Sequence, residues 1–296
     1  MNGSAFPSWQ IGEVTVTKIV ELVNLVQVEG FFPGASTAEI LEIDWLRPEF
    51  VNEDGDLILS IHALVVDTPG KRIMVDTCIG NDKARVWPDM DRLQTAFLDD
   101  LQQAGFPRES FDLVLCTHLH VDHIGWNTML KDGVWVPTFP NARYLISRTE
   151  HDFWKCGAGI QSDNGWSEVQ RQAFADSVQP VRDAGLIDLV DGSHEVCDEV
   201  SLVPTPGHSP GHVSIAIRSK GHRALITGDF THHPAQLARP EWGLPVDYDS
   251  EQAIRTRQKQ FADLAGQPVL VIGTHWAGVT AGRVSRDGVT YRLDYD

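Results

Sequence analysis

The sequence predicts an α/β fold (α+β in the order of its elements) in which sheet is covered by helices, and three observations carry that prediction. Short apolar runs rich in β-branched residues alternate with stretches of helical spacing. Four polar side chains of metal-ligand type gather where one of those runs stops. The second half of the chain then repeats the texture of the first, strands leading to a polar loop and on to a helix. With 296 residues and a hydrophobic fraction of 42%, the chain can bury a sizeable core, as one large domain or two small ones.

Val14 to Val20 alternates and is β-branched, which reads as a strand at a sheet edge. An irregular stretch follows, with Phe31-Phe32-Pro33-Gly34 and Trp45-Leu46-Arg47-Pro48; two aromatics before a Pro-Gly turn suit either a flap over a pocket or satellite packing. Leu57 to Val66 and Arg72 to Val75 read as strands joined by the turn Thr68-Pro69-Gly70-Lys71. Leu93, Phe97, Leu98 and Leu101 have helical spacing and predict a helix from Met90 to Ala104, stopped by Gly105-Phe106-Pro107. Phe111 to Cys116 is short enough for a buried strand, and Arg143 to Ser147 is another. From Glu150 to Ala184 the chain turns polar and helical around Gly157-Ala158-Gly159, predicting an inserted cap or contact region over about 150–184 where substrate specificity is expected. Strands are expected at Leu186–Val190, Val200–Val203, Val213–Ile217 and Val269–Ile272. Before the last of these, Ser250-Glu251 starts a helix whose apolar face is Ile254, Phe261 and Leu264.

The chemistry starts at Thr117-His118-Leu119-His120-Val121-Asp122-His123, directly after the Phe111–Cys116 strand. Alternate residues of an extended segment point the same way, so His118 and His120 can grip one metal ion while Asp122 and His123 face a second position. Neutral imidazole and carboxylate suit zinc and its neighbours. A solvent-exposed histidine loop without metal is the bland alternative, and four ligand types at this spacing after a buried strand count against it.

At these residues the chain resembles the metallo-β-lactamase superfamily, whose signature is His-x-His-x-Asp-His. The resemblance continues at Thr205-Pro206-Gly207-His208, at Leu225-Ile226-Thr227-Gly228-Asp229 and at Val271-Ile272-Gly273-Thr274-His275. It implies a single domain spanning 1–296 with a metallo-β-lactamase fold, an αββα sandwich of two mixed β-sheets with helices on the outer faces. It also implies one metal held by His118, His120 and His208, a second held by Asp122, His123 and His275, and Asp229 between them. Two divalent ions per chain are expected, zinc first, with iron, manganese and cobalt also compatible with these ligands. In that chemistry a hydroxide shared by the metals attacks an electrophilic carbon or phosphorus, with Asp122 and Asp229 holding the reacting centre. Asp76-Thr77-Cys78-Ile79-Gly80-Asn81 is similar to the family's Asp-Thr-Gly loop with Cys78 in place of glycine, and Asp76 is a candidate to orient a ligand histidine.

Three residues after Asp229 stands His232, where the N-acyl-homoserine lactonase branch commonly has tyrosine; the branch containing methyl parathion hydrolase and broad lactonases is more similar here. His232 is the expected auxiliary acid or hydrogen-bond donor, and His233 is expected at the surface. Trp126, Trp154, Trp276, Phe31 and Phe32 are candidates for an aromatic substrate pocket. The resemblance thus implies a lactonase or esterase. The alternatives are a phosphotriesterase, a β-lactamase, or a catalytically silent or structural use of the fold.

A net charge of −17, from 24 Lys+Arg against 41 Asp+Glu, argues against nucleic acid and anionic membrane as partners. A small ester or lactone is the expected partner. The aromatic N-terminal stretch and the inserted region are surfaces a homodimer would use. Met1–Gln10 lacks the pattern of a signal peptide, and Cys78, Cys116, Cys156 and Cys197 form no Cys-x-x-Cys pair, so a cytoplasmic protein with reduced thiols is expected.

Overall fold

The computed structural model describes residues 6–156 and 166–295, so the Gly157-Ala158-Gly159 interruption lies outside the described residues. Nine strands come first: β1 (Ser8–Ile11), β2 (Val14–Val26), β3 (Leu57–Asp67), β4 (Arg72–Val75), β5 (Leu113–Leu115), the hairpin β6 (Thr128–Lys131) and β7 (Val134–Pro137), β8 (Arg143–Ser147) and β9 (Ile187–Val190). Seven follow: β10 (Glu195–Cys197), β11 (Val200–Pro204), β12 (Val213–Ser219), β13 (His222–Ile226), β14 (Val269–Ile272), β15 (Ala281–Asp287) and β16 (Thr290–Asp294). They form two seven-stranded sheets, β1-β2-β3-β4-β5-β8-β9 and β10-β11-β12-β13-β14-β15-β16, with β6 and β7 paired apart.

Alternation along the strands makes the sandwich. Leu64, Val66, Ile73, Val75 and Leu115 of the first sheet meet Ile215, Ile217, Ala224, Ile226 and Ile272 of the second in one buried layer. Their neighbours Val65, Met74 and Val114 point outward onto helices α3 (Phe97–Gln103), α5 (Trp166–Ala173) and α6 (Gln179–Asp183), which follow α1 (Val28–Phe31), α2 (Thr37–Leu41) and, between α3 and α5, α4 (Arg148–Lys155). On the far side Ala216, Leu225 and Val271 pack under Phe261 and Leu264 of the long helix α8 (Ser250–Leu264), which comes after α7 (Ala235–Ala238). The chain is therefore an αββα sandwich of two mixed sheets, each residue's face set by the period of two that strands impose.

Three local expectations change. Val14–Val20 is no edge: β1 pairs along Val14–Thr17 and takes the edge itself. The predicted Met90–Ala104 helix begins only at Phe97. Its first residues bond to the loop before them instead, Arg92 N–H to Lys83 O at 2.8 Å and Thr95 N–H to the Asn81 side chain at 2.8 Å, and Arg92 adopts φ 45°. The stretch after β2 is partly helical, α2 being closed by a capping box between Ser36 and Glu39.

Topology fixes where the polar loops emerge. β4 runs parallel to β5, and β13 parallel to β14, so the loops after Val75, Leu115, Ile226 and Ile272 leave their sheets at C-terminal strand ends. The two edges are tied together where these loops meet, Val213 N–H donating to Thr117 O at 3.0 Å and Ser60 N–H to His275 O at 3.0 Å.

Candidate metal centre

The loops bring together every ligand that the resemblance implied. His118, His120 and His208 form one close group of potential ligand atoms, and Asp122, His123 and His275 form another. Asp229 lies between them. Its Oδ2 is 3.2 Å from His123 Nε2, 3.2 Å from His275 Nε2, 3.6 Å from His208 Nε2 and 3.8 Å from His118 Nε2. All are buried except Asp122, which is half-buried.

Each imidazole is aimed by what its outer nitrogen touches. His123 Nδ1–H donates to Asp76 at 2.9 Å, His208 Nδ1–H to Asp247 at 2.8 Å and His275 Nδ1–H to Ser60 O at 3.2 Å, so all three present a bare Nε2 inward. His118 leans its Nδ1 on Thr117 Oγ1 at 3.1 Å, and that hydroxyl donates in turn to Asp76 at 2.8 Å. His120 points Nδ1 inward instead, 2.9 Å from His208 Nε2. Bare nitrogens facing one another at such distances, with His118 Nε2 and Asp229 Oδ1 buried and without a hydrogen-bond partner among the described residues, fit divalent cations of the zinc type.

Electrostatics separates the two groups. Burial holds His118 and His120 well below the ordinary histidine pKa, helped by the imidazoles around them. Burial acts the same way on His123 and His275, but it is outweighed by Asp229 and Asp122, and for His123 also by Asp76, so both are raised. For Asp229, burial works against the charge and the surrounding His123, His275 and His232 overcome it, holding the carboxylate well below its usual range.

Further residues, absent from the sequence-based candidates, brace the site. Asp247 holds His208 and takes the Leu244 N–H at 2.9 Å on its other oxygen. Glu150, fully buried, accepts from Leu119 N–H, Ser209 Oγ, Gly211 N–H and Trp154 Nε1, so one carboxylate joins the two histidine loops. His212 accepts the Asp229 N–H at 2.7 Å and thereby aims the shared carboxylate. It gets that close because Gly228 has φ 55° and no side chain: a Cβ there would lie 2.5 Å from His212 Nε2. Nothing in the linear pattern distinguishes these residues, since each acts through a fold-dependent neighbour.

Above the cluster opens a cavity of about 210 Å³. Phe31 and His232 line it. Phe32, Trp126 and Trp276 do not: Phe32 and Trp276 are fully enclosed, and Trp126 stacks on Phe97 and gives its Nε1–H to Glu21 at 2.7 Å. Large aromatics next to ligands in sequence were drawn into the cores that support those ligands. Trp154 stands behind His120, ring centroids 5.4 Å apart, while Trp166 is the tryptophan in the cavity wall. His233, expected at the surface, is fully buried, its Nε2–H on Phe50 O at 2.9 Å. His232 sets Nε2 3.0 Å from Asp229 Oδ2; burial pushes its pKa down to about 4 against the pull of Asp229.

Residues 58–271 match the family model of the metallo-beta-lactamase superfamily. The chain belongs to that superfamily. Among characterised relatives it is 28% identical over 148 residues to the N-acyl homoserine lactonase AttM of Rhizobium radiobacter, a match covering 47% of this chain and 48% of that one. It is 25% identical over 196 residues to an N-acyl homoserine lactonase of Bacillus cereus, covering 60% and 67%. The match to AttM thus spans about half the length of either protein. Among solved structures, hydrolase AbOPH of the beta lactamase superfamily superposes with TM-score 0.80 at 27% identity, over 99% of this chain and 98% of that one. AidC, a dizinc quorum-quenching lactonase in complex with a product, shares the fold with TM-score 0.78 at 24% identity, over 98% and 97%.

Proposed function

We propose that the protein is a metal-dependent hydrolase of cyclic or simple carboxylic esters, a lactonase first of all, working with two divalent ions, zinc by preference. The observation that carries this is the pair of three-ligand groups meeting at Asp229 on the floor of an otherwise largely apolar cavity. Bound there, the ions supply Lewis acidity and a nucleophile drawn from water at neutral pH. His118, His120 and His208 would hold one ion and Asp122, His123 and His275 the other, with Asp229 within reach of both groups. Asp229, Asp122 and His232 are the groups assigned to the reacting centre. His232 Nε2–H, now on Asp229 Oδ2, is in place to give a hydrogen bond to an oxyanion developing beside that carboxylate. Val121, Phe31 and Leu244 exclude water and favour an apolar acyl group.

The region 150–184 acts as the cap on a single domain. Its Gln170 accepts from Val121 N–H and donates to Leu119 O, and its Trp166 closes the cavity. No helix among the described residues is long and apolar enough to cross a membrane. The free cysteines support a cytoplasmic location, and the aromatic N-terminal stretch and the inserted region support a homodimer.

The test is a substrate panel with metal-quantified protein: acyl-homoserine lactones, plain γ- and δ-lactones, an aryl ester, a phosphotriester and a β-lactam. Fastest turnover of lactones at about two metals per chain supports the reading. Dominance of the phosphotriester transfers the site to phosphorus chemistry. A β-lactamase is disfavoured, because among the described residues lining the cavity there is no lysine or arginine to receive the substrate carboxylate.

A further inference from the structure

Strand β2 changes face halfway along its length. Val14 and Val16 point into the layer between the sheets, as do Leu64 and Val66 on the paired strand β3. Val20 pairs with His62 and Leu22 with Ile61, so Glu21 is left without a partner in the ladder. A bulge of this kind inverts the alternation beyond it. Leu22 pairs with Ile61 and Asn24 with Leu59, and Ile61 belongs with Ala63 and Val65 on the outward face of the sheet. In an unbulged strand Asn24 would share the face of Val14 and Val16 and sit between the sheets. The bulge is pinned by Glu21 itself, whose carboxylate accepts from Ile79 N–H, Gly80 N–H, Trp126 Nε1 and Thr95 Oγ1.

As a result Asn24 stands in the cavity wall beside Val26, Phe31, Leu59 and Ile61, while Val23 and Leu25 face solvent at 55% and 62% exposure. Outside the histidine and aspartate groups of the floor, the only other polar function among the described lining residues is the Trp166 indole. The Asn24 carboxamide makes no side-chain hydrogen bond among the described residues. A carboxamide presents a donor and an acceptor together. Placed in an apolar wall, it favours a ligand that answers both and discriminates against one that answers neither.

We propose that Asn24 selects substrates that carry a secondary amide close to the ester to be cleaved, so that the preferred class is the N-acylamino lactone and not the plain alkyl lactone. The Asn24 carboxamide pairs with the substrate amide while the ester carbonyl lies over the ligand floor and the acyl chain runs along Phe31 and Leu59. This rests on the hydrolase reading above.

The experiment compares kcat/KM of the metal-loaded wild type, Asn24→Leu and Asn24→Ser on N-hexanoyl homoserine lactone and on a γ-alkyl lactone of matched length. Both variants should lose about tenfold more on the amide-bearing lactone than on the alkyl lactone, the scale of one hydrogen bond to substrate. Metal content and melting temperature equal to wild type show that the contrast is not misfolding. Equal loss on both substrates, or no loss on either, overturns the assignment to Asn24 and leaves the hydrolase reading standing. Turnover of neither lactone by the wild type overturns both.

Discussion

The two ligand groups that meet at Asp229 are built from different charge. His118, His120 and His208 contribute three imidazoles, and burial keeps His118 and His120 neutral, the form in which histidine binds metal. On the other side Asp122 is itself a ligand type, Asp76 stands behind His123 at 2.9 Å, and the carboxylates raise both histidines. Among the described residues, Asp229 is the only carboxylate beside the first group's inward nitrogens, whereas the second group has Asp122 as well. Similar backbone devices, a loop leaving a buried strand, thus yield two positions of unequal charge. The shared carboxylate is what makes them one centre.

Removing that carboxylate is the most damaging change available. Asp229→Ala should strip both ions and all turnover, read as metal per chain by elemental analysis after desalting. Two ions retained per chain would break the idea of a shared ligand. His120→Ala attacks the first side alone and should take metal and activity down together; turnover surviving in metal-depleted protein would sink the mechanism. Next in size is His232→Ala, which should lower kcat by about a hundredfold while metal content holds. An unchanged rate would leave His232 as scaffolding.

The residues behind the ligands sharpen the comparison. Asp247 braces only His208, on the first side, and Asp76 braces His123 and, through Thr117, His118. Asp247→Asn and Asp76→Asn should each weaken metal binding about ten- to a hundredfold. In a chelator competition titration, Asp247→Asn should shift one class of site, and Asp76→Asn should move both. Identical shifts from the two substitutions would mean that the sides are not separable.

How much of this was legible in the sequence depends on whether a residue acts where it stands. The strand ends and the ligand loops were readable because period-two apolar runs stop at His118, Asp229 and His275, and the ligands follow directly. The braces were not, because Asp247, Glu150 and His212 become meaningful only when loops far apart in sequence meet. The aromatic pocket was misjudged for the same reason. Trp126 and Trp276 are neighbours of ligands along the chain, yet their side chains turn into the layers on which the ligand loops rest. Trp166, distant in sequence, reaches the cavity from the cap.

The adjacent histidines 232 and 233 repeat the lesson and supply the smallest prediction. One faces the reacting floor; the other accepts the Ala235 N–H at Nδ1, 3.1 Å away, and gives its Nε2–H to Phe50 O, deep in the layer beneath α7. Burial pushes the His233 pKa down to about 4, only partly opposed by that carbonyl. An unfolded chain takes up a proton on this ring below about pH 6.5, whereas the folded chain does not until near pH 4. Folding stability should therefore fall as pH drops through that window, by about 3 kcal/mol at its acid end from this residue. His233→Gln keeps a donor and an acceptor but cannot titrate there. Urea unfolding between pH 4 and 7 should give a shallower acid limb for the variant, by up to about one proton, because other buried histidines still contribute to both proteins. Parallel limbs would show that His233 is as easily protonated in the folded chain as in the unfolded one, and that the difference between the two neighbours is one of position alone.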